Sequence, residues 1–523
     1  LIGSLPAPYA GLKAVKAANG DIHFLVYCQA YLNGTAYNAD LEETPLSTAR
    51  IYTEIYVRCV NKIVLLHHIP LTPDRHWDTW LTDKKNNVFA GRLTFGETGY
   101  SFDGNMTNLM TGLSNVTRAE SPVAPFGGAG DYDISPDGNT VAFLTKNIDL
   151  PLSNYTSSQI WLVPFSGDAA PQVLNALGAS STPAGAEGAS AGPVFSPDSS
   201  KIAYLQMDEI DYESDRNKIY VADVDTGNPN IQVLCEDWDV SPSILHWSSN
   251  GTGLFLDAPH RGNDRLFEFI PFDAAADFEP RNITDRGTVA AFAVLPNDNL
   301  LVSDSKVWSA RDIYIISPNG EVVTDLFHAN EVDPGYEGLD ESIISEFYYP
   351  GNFTDVQAFI VYPQDFDASR KYPLAFIIHG GPQVQHSNGW STRWNFKVWA
   401  DQGYVVVAPN PTGSNGFGEA FQDAIQNNWG GYPYDDLVKG WNYVRGNFDF
   451  IDTDNGIAAG ASYGGFMTNW IQGHDLGREF KALVTHDGST DTTAQYTSEE
   501  LWFMQHDVSI FQVPCYQRRK LTP

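Results

Sequence analysis

The residues best suited to covalent chemistry lie in Gly460-Ala-Ser-Tyr-Gly464, a G-x-S-x-G pattern centred on Ser462. A serine in a sharp turn between a strand and a helix has its hydroxyl lifted clear of the sheet, and small neighbours let the backbone fold that tightly. The flanking text supplies both elements. Gly456-Ile-Ala-Ala-Gly460 has the composition of a buried strand, Phe466 to Gln472 that of a helix, and Gly465 adds one more small residue. The chemistry implied is acyl transfer to Ser462. That reaction places negative charge on a carbonyl oxygen, which backbone N–H groups must be aimed to meet. Tyr463, directly after the nucleophile, offers one donor, and His379-Gly-Gly-Pro382 offers a second from Gly380 or Gly381. His-Gly-Gly-Pro alone fits a plain turn as well; its position ahead of the elbow gives it the catalytic reading. His379 itself is not expected to be the general base, because in this order of elements the base comes last.

These groups need a rigid scaffold, and the last third of the chain has one. Val356 to Tyr362 reads as a strand, and Tyr372-Pro-Leu-Ala-Phe-Ile-Ile378 is apolar throughout, as in a parallel sheet covered on both faces. A helical stretch from Ser391 to Gln402 leads to the buried strand Tyr404 to Ala408, and an amphipathic helix from Tyr434 to Asn447 leads to the strand before Ser462. The alternation predicts an α/β doubly wound sheet of the α/β-hydrolase kind. An acidic hinge, Glu331-Val-Asp-Pro-Gly-Tyr-Glu-Gly338, marks the boundary, giving domains of 1–335 and 336–523.

The first domain repeats. Ile134-Ser-Pro-Asp-Gly-Asn-Thr-Val-Ala-Phe-Leu144 is followed by the strand Gln159 to Pro164, and Phe195-Ser-Pro-Asp-Ser-Ser-Lys-Ile-Ala-Tyr-Leu205 by Lys218 to Asp223. Weaker copies pair Trp247 to Leu256 with Arg265 to Ile270, and Val294 to Ser303 with Asp312 to Ile316; Asn19 to Tyr27 resembles one more hairpin. Copies recur about every fifty to sixty residues, the period of propeller blades. The fold predicted is a partial β-propeller followed by the α/β-hydrolase sheet, with the blade aromatics, Trp161 and Trp247 included, in the core. Gly178 to Gly192, rich in Ala, Gly and Ser, reads as a flexible loop between strands.

Composition bounds the function. The 523 residues include 31 Lys and Arg against 64 Asp and Glu, a net charge of −33 that repels nucleic acid and anionic membranes. No apolar run is long enough to span a membrane. Cys28, Cys59, Cys235 and Cys515 have no metal spacing, and His67-His68 would point to opposite faces of a strand. No metal and no cofactor is therefore expected. Sequons at Asn33, Asn105, Asn115, Asn154, Asn250, Asn282 and Asn352 lead to the expectation of a secreted glycoprotein, and the opening at Leu1 reads as a fragment or a processed chain.

His379-Gly-Gly-Pro382, Asn410-Pro-Thr-Gly-Ser414-Asn-Gly-Phe-Gly418 and Gly460-Ala-Ser-Tyr-Gly-Gly465, behind propeller-like repeats, resemble the prolyl oligopeptidase family. Within it, Tyr372 to Gln383 and the surrounding text most resemble its secreted fungal dipeptidyl-peptidases, and the likeness covers nearly the whole chain. The resemblance implies removal of N-terminal dipeptides from peptide substrates through an acyl-enzyme, with the propeller restricting access. One departure is Thr412, where many relatives carry Arg. A larger one concerns the triad, whose acid and base should follow Ser462 in that order. Only one further strand, Lys481 to His486, is recognisable; Asp487 ends it too early to be the acid, and His486 and His506 read as surface or structural. The sheet therefore reads as C-terminally truncated and the chain as written as an inactive peptidase. Cys59 to Asp74 and the tail from Val508 match no element and read as translated intron. The alternatives are an esterase using the same elbow, or a non-catalytic propeller that binds a partner.

Overall fold

The computed structural model describes residues 4–38, 83–113, 119–152, 155–176, 183, 186–225, 227, 229–272, 274–336 and 338–490, together with the backbone of 75–76 and 79–80. The segments 59–74 and 508–523 lie outside the described residues, as do His506, Asn115 and Asn154.

The first part is a five-bladed propeller of antiparallel sheets. Blade one runs Ala10–Lys16, Ile22–Ala30, Lys85–Gly96 and Gly99–Ser101, with Thr107–Asn108 paired to the third strand. Blade two is Tyr132–Ile134, Thr140–Lys146, Ser158–Pro164 and Gln172–Val173; blade three is Ser190–Phe195, Lys201–Gln206, Lys218–Asp223 and Ile231–Leu234. Blade four has three strands, Ile244–Trp247, Gly253–Pro259 and Asp264–Pro271, and blade five has Thr288–Val294, Leu300–Lys306, Ser309–Ile316 and Val322–His328.

The repeated turn has a mechanism. In blade two Ser135 Oγ donates to Asp137 Oδ1, which also accepts the Asn139 N–H at 3.0 Å, while Gly138 takes φ 75° and closes the turn onto Ser135 O at 2.8 Å. Blade three repeats the pattern with Ser196, Asp198 and Ser199, and blade four with Ser248, Asn250 and Gly251. Neighbouring turns touch. Ser199 Oγ accepts the Asp137 N–H at 3.1 Å, and Asp298 accepts that of Ser249 at 2.6 Å.

The apolar cores lie between blades rather than within them. Leu144, Ile160 and Leu162 of blade two meet Ile202, Tyr204 and Tyr220 of blade three, and Phe255 and Leu266 of blade four meet Val289, Leu300 and Tyr314 of blade five. Trp161 and Trp247 are buried there, and each indole N–H has an acceptor, Thr145 Oγ1 and Val194 O, both at 2.9 Å. Gly178 to Gly192 is not wholly loop: Ser190, Ala191 and Gly192 begin the first strand of blade three. Gly192 takes φ 58° where the register slips between Ala191 and Val194, so its glycine belongs to a bulge.

Among the described residues the second part is one six-stranded sheet. Its strands are β1 (Ile344–Pro350), β2 (Asp355–Val361), β3 (Tyr372–Ile378), β4 (Val405–Asn410), β5 (Ile451–Ala461) and β6 (Ala482–His486), in the order β1-β2-β4-β3-β5-β6. Pairing is antiparallel from β1 through β2 to β4 and parallel from β4 onward. Alternate residues of β3 serve opposite layers. Leu374, Phe376 and Ile378 face the core holding helices α3 (Tyr432–Asn447) and α4 (Tyr463–Gln472), whereas Ala375 and Ile377 face α1 (Phe396–Asp401). A short helix α2 (Glu419–Asp423) lies between β4 and α3. The expected helix from Ser391 shrinks to α1, because Asn395 caps it by accepting the Lys397 N–H at 2.8 Å. The sequence pattern predicts no strand at β1, whose Ile344–Pro350 text follows the hinge closely and exposes four of its seven residues. Among the described residues no helix is long and apolar enough to cross a membrane.

Candidate active site

Strand β5 runs into α4 through Ser462, whose backbone adopts φ 56° and ψ −118°. A non-glycine residue held at positive φ is costly and persists only where its surroundings over-determine it. Here they do. A Cβ on Gly460 would lie 2.4 Å from Gly464 O, one on Gly464 2.2 Å from Ile378 O, and one on Gly465 2.6 Å from both Gly488 Cα and His486 O. The three glycines of the motif therefore let β5, β3 and the chain after β6 converge on the turn. The Ser462 N–H is held by His486 O at 3.1 Å and Asp487 Oδ1 at 2.7 Å, and Ser462 O accepts the first helical bond of α4, from Phe466 N at 2.9 Å. With its backbone fixed on both sides, Ser462 is itself exposed.

Of the predicted donors, Gly380 lies against it and Tyr463 follows it directly in the chain. Gly380 packs against Ser462: a Cβ on Gly380 would stand 3.3 Å from Ser462 Cβ and 3.9 Å from its Oγ. Among the described residues no acceptor takes the N–H of Gly380, Gly381 or Tyr463. Gly381 takes φ 105°, a conformation that favours glycine. Tyr463 anchors the start of α4, its phenol donating to Trp429 O at 2.8 Å and its ring edge-on to Trp429.

His379 is fully engaged elsewhere. Its Nδ1 is 2.7 Å from Gly380 O, and since a carbonyl only accepts, Nδ1 carries the proton; its Nε2 lies 2.9 Å from Ser414 Oγ, whose hydroxyl donates to Pro411 O at 2.7 Å. Burial drives its pKa down to about 4, so the ring is neutral. It shapes the glycine turn rather than serving as base. His386, also buried and held well below the usual imidazole range by that burial, points its Nε2 at Ile377 O, 3.0 Å away. His486 is exposed, its Nε2 3.7 Å from Asp487. Among the described residues none of these rings hydrogen-bonds Ser462 Oγ. Thr412 is buried and ties its N–H to Asp436 at 2.9 Å, closing a local network.

Two features escaped the sequence. Asp487 grips the Ser462 N–H, a contact fixed by the meeting of β6 and the elbow. An acidic group is also linked to Gln383, two residues beyond the glycine turn. Tyr212, from blade three, accepts from Gln383 Nε2 at 3.4 Å and bonds Asp423 of α2. Burial first, and then the charges of Glu419, Asp215 and Glu209, raise the Asp423 pKa to about 6 against the opposing Tyr212 hydrogen bond, and its Oδ1 is buried without a hydrogen-bond partner. Of the sequons, Asn33, Asn105, Asn250 and Asn352 are exposed and Asn282 half-buried.

An α/β-hydrolase sheet with a serine elbow, joined to a five-bladed propeller, defines the class to which this molecule conforms. A family model described as the prolyl oligopeptidase family matches residues 390–520. Dipeptidyl-peptidase 5 of Aspergillus fumigatus is 52% identical over 506 residues, covering 96% of this chain and 67% of the relative, and that of Aspergillus oryzae is 51% identical over 508, with the same shares. Among solved structures, Pyrococcus horikoshii acylaminoacyl peptidase superposes with a TM-score of 0.65 at 16% identity, over 95% of this chain and 67% of that one. Porphyromonas gingivalis dipeptidyl peptidase 4 gives 0.53 at 16% identity, over 95% and 63%. The chain belongs to the prolyl oligopeptidase family.

The glycine packing is directly testable. Gly464→Ala is expected to lose several kcal/mol, on the order of the cost of overpacking plus strain, because its Cβ would meet the Ile378 carbonyl at 2.2 Å. Urea unfolding should show the loss, with Gly446→Ala, which meets nothing within 4 Å, unchanged or more stable.

Proposed function

We propose that this protein is a serine exopeptidase that releases N-terminal dipeptides through an acyl-enzyme on Ser462. The observation that carries the proposal is the exposed Ser462 in its positive-φ turn, with the free N–H groups of Tyr463 and Gly380 beside it. The hydroxyl oxygen bonds to the scissile carbonyl carbon and gives up its proton, and the carbonyl oxygen becomes an oxyanion taken by those N–H groups. The C–N bond then breaks as the amine leaves with a proton in its place, so a Ser462 ester remains for water to cleave. Relatives about half identical and named dipeptidyl-peptidase 5 support the dipeptidyl specificity. The general base is not assigned to any described residue. Ser462→Ala is expected to abolish dipeptidyl-arylamide hydrolysis and fluorophosphonate labelling while the protein still folds. Turnover or labelling by the variant, or acyl-ester hydrolysis in place of dipeptidyl-arylamide hydrolysis, would overturn the assignment.

A dipeptidyl-peptidase must recognise a free ammonium group near its nucleophile. Asp423, with its unpartnered Oδ1 and its link through Tyr212 to the glycine loop, supplies the opposite charge. Its pKa near 6 is raised, so ionised Asp423 holds the ammonium above pH 6 and loses it as pH falls through that value. KM for a dipeptidyl-arylamide should therefore rise between pH 7 and pH 5 with little change in kcat. Asp423→Asn should raise KM by roughly tenfold at pH 7 and flatten that dependence. By linkage, ionised Asp423 weakens the fold above its pKa, so the Asn variant should keep its Tm at pH 7. A pH-independent KM in the parent protein, or a variant with lowered Tm and unchanged KM, would remove Asp423 from this role.

We also infer secretion with N-glycans on the exposed Asn33, Asn105, Asn250 and Asn352. In the natural protein, peptide mapping after enzymatic deglycosylation should show Asn-to-Asp conversion at these positions, and the activity measurements above likewise apply to an intact version of the protein.

A further inference from the structure

The glycine turn that carries the candidate oxyanion donors cannot hold itself in place, since glycine surrenders more conformational freedom on ordering than any other residue. Its C=O at Gly380 is pinned from within the hydrolase sheet by His379 Nδ1. Its other end is pinned from two domains at once. His386, five residues beyond Gly381, has its N–H on Asn410 Oδ1 at 2.6 Å and its ring on β3. Gln385, the residue before it, reaches the other way, into the propeller. Its Oε1 accepts the Gly262 N–H at 2.7 Å and its Nε2 donates to Asn263 O at 3.0 Å.

Gly262 and Asn263 form the tip of the hairpin joining the last two strands of blade four, and this tip is built for close docking. Gly262 is buried at φ 78°, and a Cβ there would lie 2.8 Å from the Phe359 ring of β2. Gly262 O accepts the Asn388 N–H at 3.2 Å, and the Arg261 N–H reaches Gly416 O at 3.0 Å. A Cβ on Gly416 would stand 2.8 Å from Gln385 Oε1. One hairpin tip thus braces both loops that flank the nucleophile: 380–388, after β3, and 410–418, after β4, which carries the Ser414 that orients His379. The propeller presents only backbone groups to Gln385, so the side-chain handle of the contact is Gln385 alone.

We propose that Gln385 is a positioning residue for the reaction: its paired hydrogen bonds to the blade-four hairpin hold the Gly380–Gly381 turn where its N–H donors meet the oxyanion. The proposal rests on the acyl-transfer reading above. Donors that act only when pre-aimed lose their effect with small displacements, and a misplacement of about 1 Å commonly costs around a hundredfold in rate. The donors act on the transition state rather than on the bound peptide, so the loss belongs in kcat and not in KM.

The test compares the full chain with Gln385→Leu, which removes both hydrogen bonds at similar volume, and Gln385→Glu, which keeps only an acceptor. Hydrogen exchange of 260–263 and 380–388, Tm, and kcat and KM on a dipeptidyl-arylamide are measured for each. Gln385→Leu should lower kcat at least tenfold with KM within threefold, leave Tm within a few degrees, and speed exchange in both segments. Gln385→Glu should show the same pattern, because the lost donor also leaves a carboxylate facing the Asn263 carbonyl. Unchanged kcat, or kcat falling only in step with Tm, would overturn the positioning role. Unchanged exchange in the variants would overturn the brace itself. Exchange needs no turnover, so a parent chain that accelerates exchange on substitution but hydrolyses nothing counts against the acyl-transfer reading and not against the brace.

Discussion

The constraint on which the site depends is the crowding of three chain segments around Ser462. Strand β5 must end, turn through a positive φ and start α4 within two residues, while the end of β3 and the chain after β6 press on the same turn. Only hydrogen can occupy the side-chain positions at 460, 464 and 465, so the spacing of the motif is a packing rule before it is a catalytic one. The strain at Ser462 is held by bonds on both sides, from His486 O and Asp487 to its N–H and from Phe466 N to its carbonyl. A side chain held so rigidly from behind has its hydroxyl presented forward without any further support.

The propeller contributes more than a cover. Its own stability comes from apolar contacts between successive blades and from turns that lean on one another, an arrangement that places little demand on contact with the hydrolase sheet. The contacts it does make are concentrated. Blade four reaches Gln385, Asn388 and Gly416, blade three reaches Gln383 through Tyr212, and Arg216 pairs with Glu419 at 2.8 Å. They fall on the segments leaving the C-terminal ends of β3 and β4, the end of a parallel sheet where ligands bind. The two domains therefore share one site: the sheet supplies the reacting group, and the blades steady the loops around it.

Much of this was legible in the sequence because it follows local rules. The Ser-Pro-Asp-Gly turns carry their own hydrogen bonds within five residues, the apolar strands β3 and β4 announce a sheet covered on both faces, and Ser462 lies between a strand and a helix. The donors Gly380 and Tyr463 could be paired with it because the order of elements fixes which strand ends lie side by side. Less local features were misjudged or missed. The helix expected from Ser391 was too long because a side-chain cap at Asn395 overrides its apolar text. Strand β1 was overlooked because an exposed edge strand lacks the unbroken apolar run of its neighbours.

The serine turn, the glycine turn, the repeat and the family were all readable without coordinates, since each is written in residues close together in the chain. The grip of Asp487 on the elbow, the link from Asp423 through Tyr212 to Gln383, and the reach of Gln385 to the hairpin at Gly262 and Asn263 come from the folded arrangement. Gln385 and Gly262 are 123 positions apart, and Gln383 and Tyr212 are 171. No periodicity or motif links such residues. Their meeting is a consequence of how two separately folded cores dock, and docking is settled by shape and hydrogen bonding between surfaces that the chain order leaves unrelated.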